Sequence, residues 1–319
     1  VRRALVALAA ALVCAAPAQA FVRSKNNSGL HLWWATRGHS FQIDAQGTPD
    51  SPSAGVFAAI RKSYQTWAGV TCSDLKFDEE PLSTDPAARK VGFFQGETNH
   101  NLVFFRTQSC KTAVPANDPC VSKGGCSNQY DCWDKGDAVI ATTTTTSTSS
   151  TGQIQDTDIE INDAPQGSGS KFIFTTVDGP KCTLPGETNC VSMDVQNTIT
   201  HEAGHTLGLD HPPDHPEATM YATAPVGETS KRVLAQDDTD GICSIYPAGK
   251  PTVTDVGDIS IAPGGGCGCS QAQTGPGAAL CALLLLLQMR RRSSKKPQLA
   301  MSKSVAPATA ARFQSGNEN

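Results

Sequence analysis

The sequence predicts an α+β domain in which long helices cover a sheet. Three stretches predict it. Val56, Ile60, Tyr64 and Trp67 recur at spacings of four, four and three, one apolar face of a helix. Residues 138–146 are β-branched and apolar, and Asp158-Ile159-Glu160-Ile161-Asn162 alternates, so both read as strands. His201-Glu202-Ala203-Gly204-His205 places two imidazoles at i and i+4, on one face of a second helix.

Taken in order, residues 1–20 read as a secretory signal peptide. Arg2 and Arg3 precede an apolar run from Ala4 to Cys14, and Ala18-Gln19-Ala20 is a small-x-small cleavage site. A buried N-terminal helix is the plain alternative; the order of charge, apolar run and small residues favours a leader. Residues 21–47 form an N-terminal strand region, with His31-Leu32-Trp33-Trp34 and Phe41-Gln42-Ile43-Asp44, the tryptophans serving packing. Asp50-Ser51-Pro52-Ser53 opens the first helix, which ends near Gly69. Residues 70–77 make the next strand, and 91–94 and 101–106 are candidate strands. Residues 110–135, dense in Cys, Gly, Asn and Asp, read as a disulfide-tied insertion. The threonine-rich run over 142–151 could pass for a mucin-like stalk, but it lacks proline and Ile154 follows at once, which favours strand and turn. Residues 171–176 form a short strand. Asp178-Gly179-Pro180 starts a loop holding Cys182 and Cys190, and Asp194 is placed to cap the histidine-bearing helix. Beyond His211 the chain is proline-rich, and residues 233–246 make a last helix.

Past that helix the composition changes. Residues 248–266 are a linker rich in Gly, Pro and Thr. Residues 267–292 hold Cys267-Gly268-Cys269, an apolar run over 278–287 and Arg290-Arg291-Arg292; residues 293–319 are a basic tail, expected to be disordered. The run is short for a membrane span, which needs about 20 residues, and the arginines would stay on the cytoplasmic side. Residues 21–266 carry 17 Lys and Arg against 29 Asp and Glu, a net charge of −12, whereas seven basic residues and one acidic residue follow position 289. An acidic domain argues against a nucleic-acid partner and suits calcium or plain solubility outside a cell. Cys72, Cys110, Cys120, Cys126, Cys132, Cys182, Cys190 and Cys243 are an even set, expected to form four disulfides in an exported domain. A Cys-ligated zinc between Cys110 and Cys132 is the rival reading.

The most informative stretch runs from His201 to His211, with the pattern H-E-x-x-H-x-x-G-x-x-H. Gly208 permits a sharp turn that brings His211 back beside His201 and His205. Three neutral histidines and an open fourth position make a catalytic zinc site, not a structural one. Glu202 lies beside the ligand face, close enough to act on a water without ligating the ion, which suits a general base.

With these residues the chain resembles a metzincin metallopeptidase, closest to the matrixins. Three further passages carry the resemblance. Ala218-Thr219-Met220-Tyr221 looks like the Met-turn, Leu234-Ala235-Gln236-Asp237-Asp238-Thr239-Asp240-Gly241-Ile242 is similar to the start of the last family helix, and residues 151–162 resemble the strand before the active site. The match covers residues 21–247. It implies a twisted mixed sheet of five strands, two long helices, a small C-terminal subdomain and a cleft between the parts. It also implies one catalytic zinc, Met220 as a hydrophobic floor and Tyr221 as pocket wall. A secreted endopeptidase would follow, acting as a monomer on protein or peptide substrates. Its substrate would lie extended along an edge strand, with a pocket near 221–225. The rival function is a non-catalytic surface adhesin on the same scaffold, which would have no use for Glu202.

Departures from the family refine these expectations. Matrixins often hold a second, structural zinc on upstream histidines; no His lies between His100 and His201, so that site is expected to be missing, with a Cys182–Cys190 bridge fixing the same loop. Pro212 stands where matrixins usually have Ser. No Cys lies between positions 15 and 71, so a cysteine-switch propeptide is not expected. Calcium at Asp158, Glu160 or Asp178 is weighed against merely solvated carboxylates. The tail resembles the myxobacterial C-terminal sorting signal, which implies processing near Cys267 or Cys269 and anchoring at the bacterial outer surface; 27 residues continue past Arg292, where the pattern normally stops.

Overall fold

In chain order the elements are β1 (Val22–Arg23), β2 (Gly38–Ile43), α1 (Ser53–Ala68), β3 (Lys76–Glu79), β4 (Leu102–Arg106), α2 (Cys110–Ala113), α3 (Cys120–Lys123), α4 (Cys126–Tyr130), β5 (Val139–Ser147), β6 (Ile154–Asn162), β7 (Phe174–Thr175), β8 (Met193–Asp194), α5 (Val195–Thr206), β9 (Leu209–Asp210), β10 (Thr223–Ala224), α6 (Gln236–Ile245) and β11 (Ala311–Glu318). The structure, a computed structural model, describes residues 21–254 except Ser168, and the backbone of 311–318. The expected signal peptide over 1–20 and the expected sorting segment over 267–292 lie outside the described residues, as do the linker from 255 and the tail up to 310. Among the described residues no helix is long and apolar enough to cross a membrane.

The main sheet runs in the order β10-β11-β5-β6-β4-β2-β3. β3, β2, β4 and β6 are parallel, and β5 returns antiparallel to β6. These make the five strands that the resemblance implies. β11 and β10 extend the sheet to seven, and β11 interrupts the disorder expected over 293–319. The apolar stripe on α1 is buried at Val56, Ile60, Tyr64 and Trp67, and Gly69 ends the helix. Tyr64 stacks on Phe41 of β2 with ring centroids 3.9 Å apart. On another side α1 holds α5 through two directional bonds: Trp67 Nε1 donates to the Thr200 carbonyl at 2.8 Å and Ser63 Oγ to the Gln196 carbonyl at 3.1 Å. The tryptophan thus fixes the second helix against the first.

β6 departs from simple alternation. Ile159 and Ile161 are buried, and so are Asp156, Asp158, Glu160 and Asn162. The polar face is covered because the 81–136 region folds over it. Asp158 accepts the Gly92 and Leu102 amides at 2.8 and 3.2 Å, which is why residues 91–94 are a loop and not a strand. Glu160 pairs with fully buried Arg106 at 2.7 Å, and Arg106 reaches Asp131 of the insertion at 2.7 Å. Asp178 pairs with Arg232. The three candidate calcium ligands are therefore not brought together. Asp158 holds two amides, and Glu160 and Asp178 each hold a guanidinium.

Buried beside Asp158, Asp156 is pushed up to about 6, chiefly by desolvation, while His100 pulls the other way. Two adjacent buried carboxylates share one proton. A carboxyl raised in the folded state contributes stability below the unfolded value and loses it as pH rises through the folded one. Asp158 holds the proton and donates to Asp156, so Asp156→Asn keeps an acceptor oxygen for it while removing the second acid. The variant is expected to gain about 2 kcal/mol at pH 8 and almost nothing at pH 4, read from urea unfolding at both pH values.

Four disulfides form: Cys72–Cys243, Cys110–Cys132, Cys120–Cys126 and Cys182–Cys190. The two pairs within 110–132, Cys110–Cys132 and Cys120–Cys126, leave no thiolates there for a zinc. Cys72–Cys243 joins the turn after α1 to α6 across 171 residues. Long loops cost the unfolded chain most when closed, so replacing both cysteines by serine is expected to lower unfolding free energy by about 2–5 kcal/mol, measured by chemical denaturation of the double variant.

Candidate metal centre

The site is built on α5, which starts where Asp194 accepts the Asn197 amide at 2.7 Å. Arg232 clamps the same carboxylate at 2.6 Å, so the cap is itself tied to the segment before α6. About two and three turns on, His201 and Glu202, then His205, are fully buried. Gly208 takes a φ of +86°, and a side chain there would meet the Leu32 carbonyl at 2.6 Å. The chain turns at that point, pairs β9 with β1, and delivers His211.

The three Nε2 atoms converge. His211 Nε2 lies 3.1 Å from that of His201 and 3.0 Å from that of His205. Their other nitrogens are committed: His201 Nδ1 donates to the Thr219 carbonyl at 2.6 Å and His205 Nδ1 to the Leu209 carbonyl at 2.8 Å. With those protons on Nδ1, the facing Nε2 atoms are acceptors. Acceptors converging on one point repel unless a cation lies between them. Nitrogens bound to one tetrahedral zinc at about 2.0–2.1 Å stand roughly 3.3 Å apart, close to the separations here. The residues fit zinc. Burial also holds the imidazoles neutral: His205 is lowered to about 4 and His211 to about 3, and His201 lies well below the usual range. Neutral imidazole is the form that ligates metal.

Glu202 sits beside this cluster without joining it. The Thr143 hydroxyl of β5 lies 2.6 Å from Glu202 Oε2, whereas Oε1 has no protein partner. Burial raises the carboxyl to about 8, against the opposing pull of Thr143. A base is thus held by one oxygen and open at the other.

Met220 packs against α5 at Gly204. A methyl group on Gly204 would fall 2.2 Å from Met220 Sδ and 2.8 Å from Trp67, so only glycine lets this side chain approach the helix. Tyr221 follows, half-buried, with Lys231 Nζ 5.7 Å from its ring centre. The turn is pinned by Asp238 of α6, which accepts the Thr219 amide at 2.7 Å, the Met220 amide at 3.0 Å and the Ala235 amide at 2.9 Å. Thr143 and Asp238 are the site residues that sequence reasoning did not single out. Thr143 carries no local signal among its neighbouring threonines. Asp238 had one, as an acidic residue in the first turn of a helix.

Cys182, Glu187 and Cys190 form a second group with ligand-like spacing, but its two cysteines are bridged to each other. Among the described residues the histidine cluster is therefore the site able to hold a catalytic metal.

Comparison with known proteins agrees with this geometry. The family model described as matrixin, peptidase M10, matches residues 33–247, more than half of the chain. Human neutrophil collagenase is 54% identical over 46 residues, 14% of this chain and 10% of the collagenase. Metalloendoproteinase 1 of Glycine max is 46% identical over 55 residues, 17% of each chain. Human matrilysin is 47% identical over 47 residues, 15% of this chain and 17% of matrilysin. The chain thus spans less than a fifth of the length of these curated relatives.

Proposed function

The chain belongs to the matrixin family, and from that premise we propose that it is a secreted zinc-dependent endopeptidase. A tether at the bacterial outer surface through residues 267–292 is part of the same reading. The observation that carries it is the convergence of three Nε2 atoms, 3.0 and 3.1 Å from His211 to its two partners, beside a buried carboxyl with one open oxygen.

His201, His205 and His211 would hold the ion. When bound, zinc supplies Lewis acidity to the scissile carbonyl and to the attacking water. Glu202 takes a proton from that water at Oε1, since Thr143 occupies Oε2. It then delivers the proton to the leaving amine as the carbon–nitrogen bond breaks. A nearby cation favours the ionised, basic form of Glu202 against the effect of burial. His201, His205 and Met220 are buried, while His211 is half-buried and leaves the ligand face open on its side. The peptide lies extended beside β5, where main-chain pairing gives affinity and the 221–225 stretch gives side-chain choice.

Hydrolysis of casein or a fluorogenic peptide, with and without a zinc chelator, tests the reading. Hydrolysis that stops with chelator and returns with zinc supports it. A zinc-loaded protein that cleaves neither substrate nor any member of a diverse peptide library overturns it, and a surface adhesin then describes the chain better.

A further inference from the structure

The track expected for the substrate is already filled by the chain itself. β11 runs parallel to β5 in a continuous register from Arg312 opposite Val139 to Glu318 opposite Thr146, with one shift between Arg312 and Phe313. On its other side β11 is antiparallel to β10, with Thr223 opposite Arg312 and Ala224 opposite Ala311. These two neighbours are the walls of the candidate site. β5 supplies Thr143, whose hydroxyl lies 2.6 Å from Glu202, and Ser315 stands in register with Thr143. β10 follows Met220 by three residues and lies in the stretch expected to form the side-chain pocket.

An extended peptide binds a sheet edge by adding a strand to it, and the ladder bonds supply the affinity. An edge that is already paired offers no free amides or carbonyls for a second strand. Residues 311–318 contain no proline, so every position keeps its amide donor. We propose that this segment is an autoinhibitory strand: it docks between β5 and β10 and keeps peptides from the edge beside Glu202. The proposal rests on the endopeptidase reading. It gives the chain a form of latency that needs no cysteine switch.

Covalent attachment makes even weak docking effective. A tethered segment meets its site at an effective concentration of about 1 mM. With an intrinsic dissociation constant of roughly 0.1 mM, it would leave about one site in ten free and lower kcat/KM about tenfold. The arrangement also constrains topology. If the run over 278–287 crossed a membrane, residues 311–318 would lie on the far side from β5. Docking and a membrane crossing by 278–287 therefore exclude each other in one molecule, so the docked strand belongs to the chain before it is tethered, and cleavage near Cys267 or Cys269 would also remove the block.

The test compares the full chain with a chain ending at residue 310 and with a full-length Gln314→Pro, Gly316→Pro variant, whose prolines remove two strand donors. Amide hydrogen exchange over 139–147 and hydrolysis of a fluorogenic peptide are measured on each. The expected result is faster exchange along β5 and about tenfold higher kcat/KM in both altered chains, with the peptide Ala-Arg-Phe-Gln-Ser-Gly-Asn-Glu inhibiting the truncated one competitively. Unchanged exchange overturns the docking. Faster exchange without a gain in kcat/KM overturns the inhibition, as does mass-spectrometric evidence that the segment is cut as a substrate. Absence of hydrolysis from all three zinc-loaded chains sinks the peptidase reading instead, while exchange still decides the docking.

Discussion

Glu202→Gln is expected to lower kcat/KM for the proposed peptide hydrolysis by about 10²–10⁴-fold, the range for loss of a positioned general base, and to leave zinc binding intact. Glutamine keeps the volume and can accept from Thr143 at 2.6 Å, so the packing of α5 on β5 is preserved. It cannot take a proton from water. His201 and His205 are held by the Thr219 and Leu209 carbonyls, neither of which involves Glu202. Zinc content by elemental analysis and hydrolysis by fluorogenic peptide should therefore separate cleanly. A zinc-loaded variant that retains full rate excludes Glu202 as the base. Loss of zinc along with rate shows instead that the substitution damaged the ligand set.

What could be read from the sequence was what depends on near neighbours. The α1 face at Val56, Ile60, Tyr64 and Trp67 repeats every three or four residues, so helix geometry alone sends it inward. The same geometry joins His201 to His205, and Gly208 announces the turn to His211 by the φ of +86° it adopts. Asp194 stands immediately before the helix it caps. What could not be read depends on residues far apart. Asp158 and Glu160 look like cation ligands in their own strand. Their partners are the Gly92 and Leu102 amides and Arg106, more than 50 residues away, and no periodicity links them. Thr143 is indistinguishable from the threonines on either side until β5 lies against α5. β11 shows the limit most plainly. Its sequence carries neither β-branched enrichment nor clear alternation, and it becomes a strand through two waiting edges.

Asp238→Ala is expected to cost about 3–5 kcal/mol of stability and 10–100-fold in zinc affinity. The carboxylate is buried and accepts three backbone amides, those of Thr219, Met220 and Ala235. Removing it leaves those donors without a partner away from water, at about 1–3 kcal/mol for each that cannot find another. Two of the three belong to the turn that carries Met220. The Thr219 carbonyl is also the group that orients His201 through Nδ1 at 2.6 Å. A turn free to shift releases that imidazole from its tautomer and its angle, and loss of such an outer hydrogen bond typically weakens metal binding 10–100-fold. Asp238→Asn separates the two effects. Its single carbonyl oxygen can still accept from Thr219, while its amide nitrogen faces a donor, so it should recover part of the stability and most of the zinc affinity. Zinc competition titration and thermal unfolding of the two variants measure this directly. If Asp238→Ala unfolds early yet binds zinc as tightly as the parent, α6 supports the fold alone and has no hold on the ligand set.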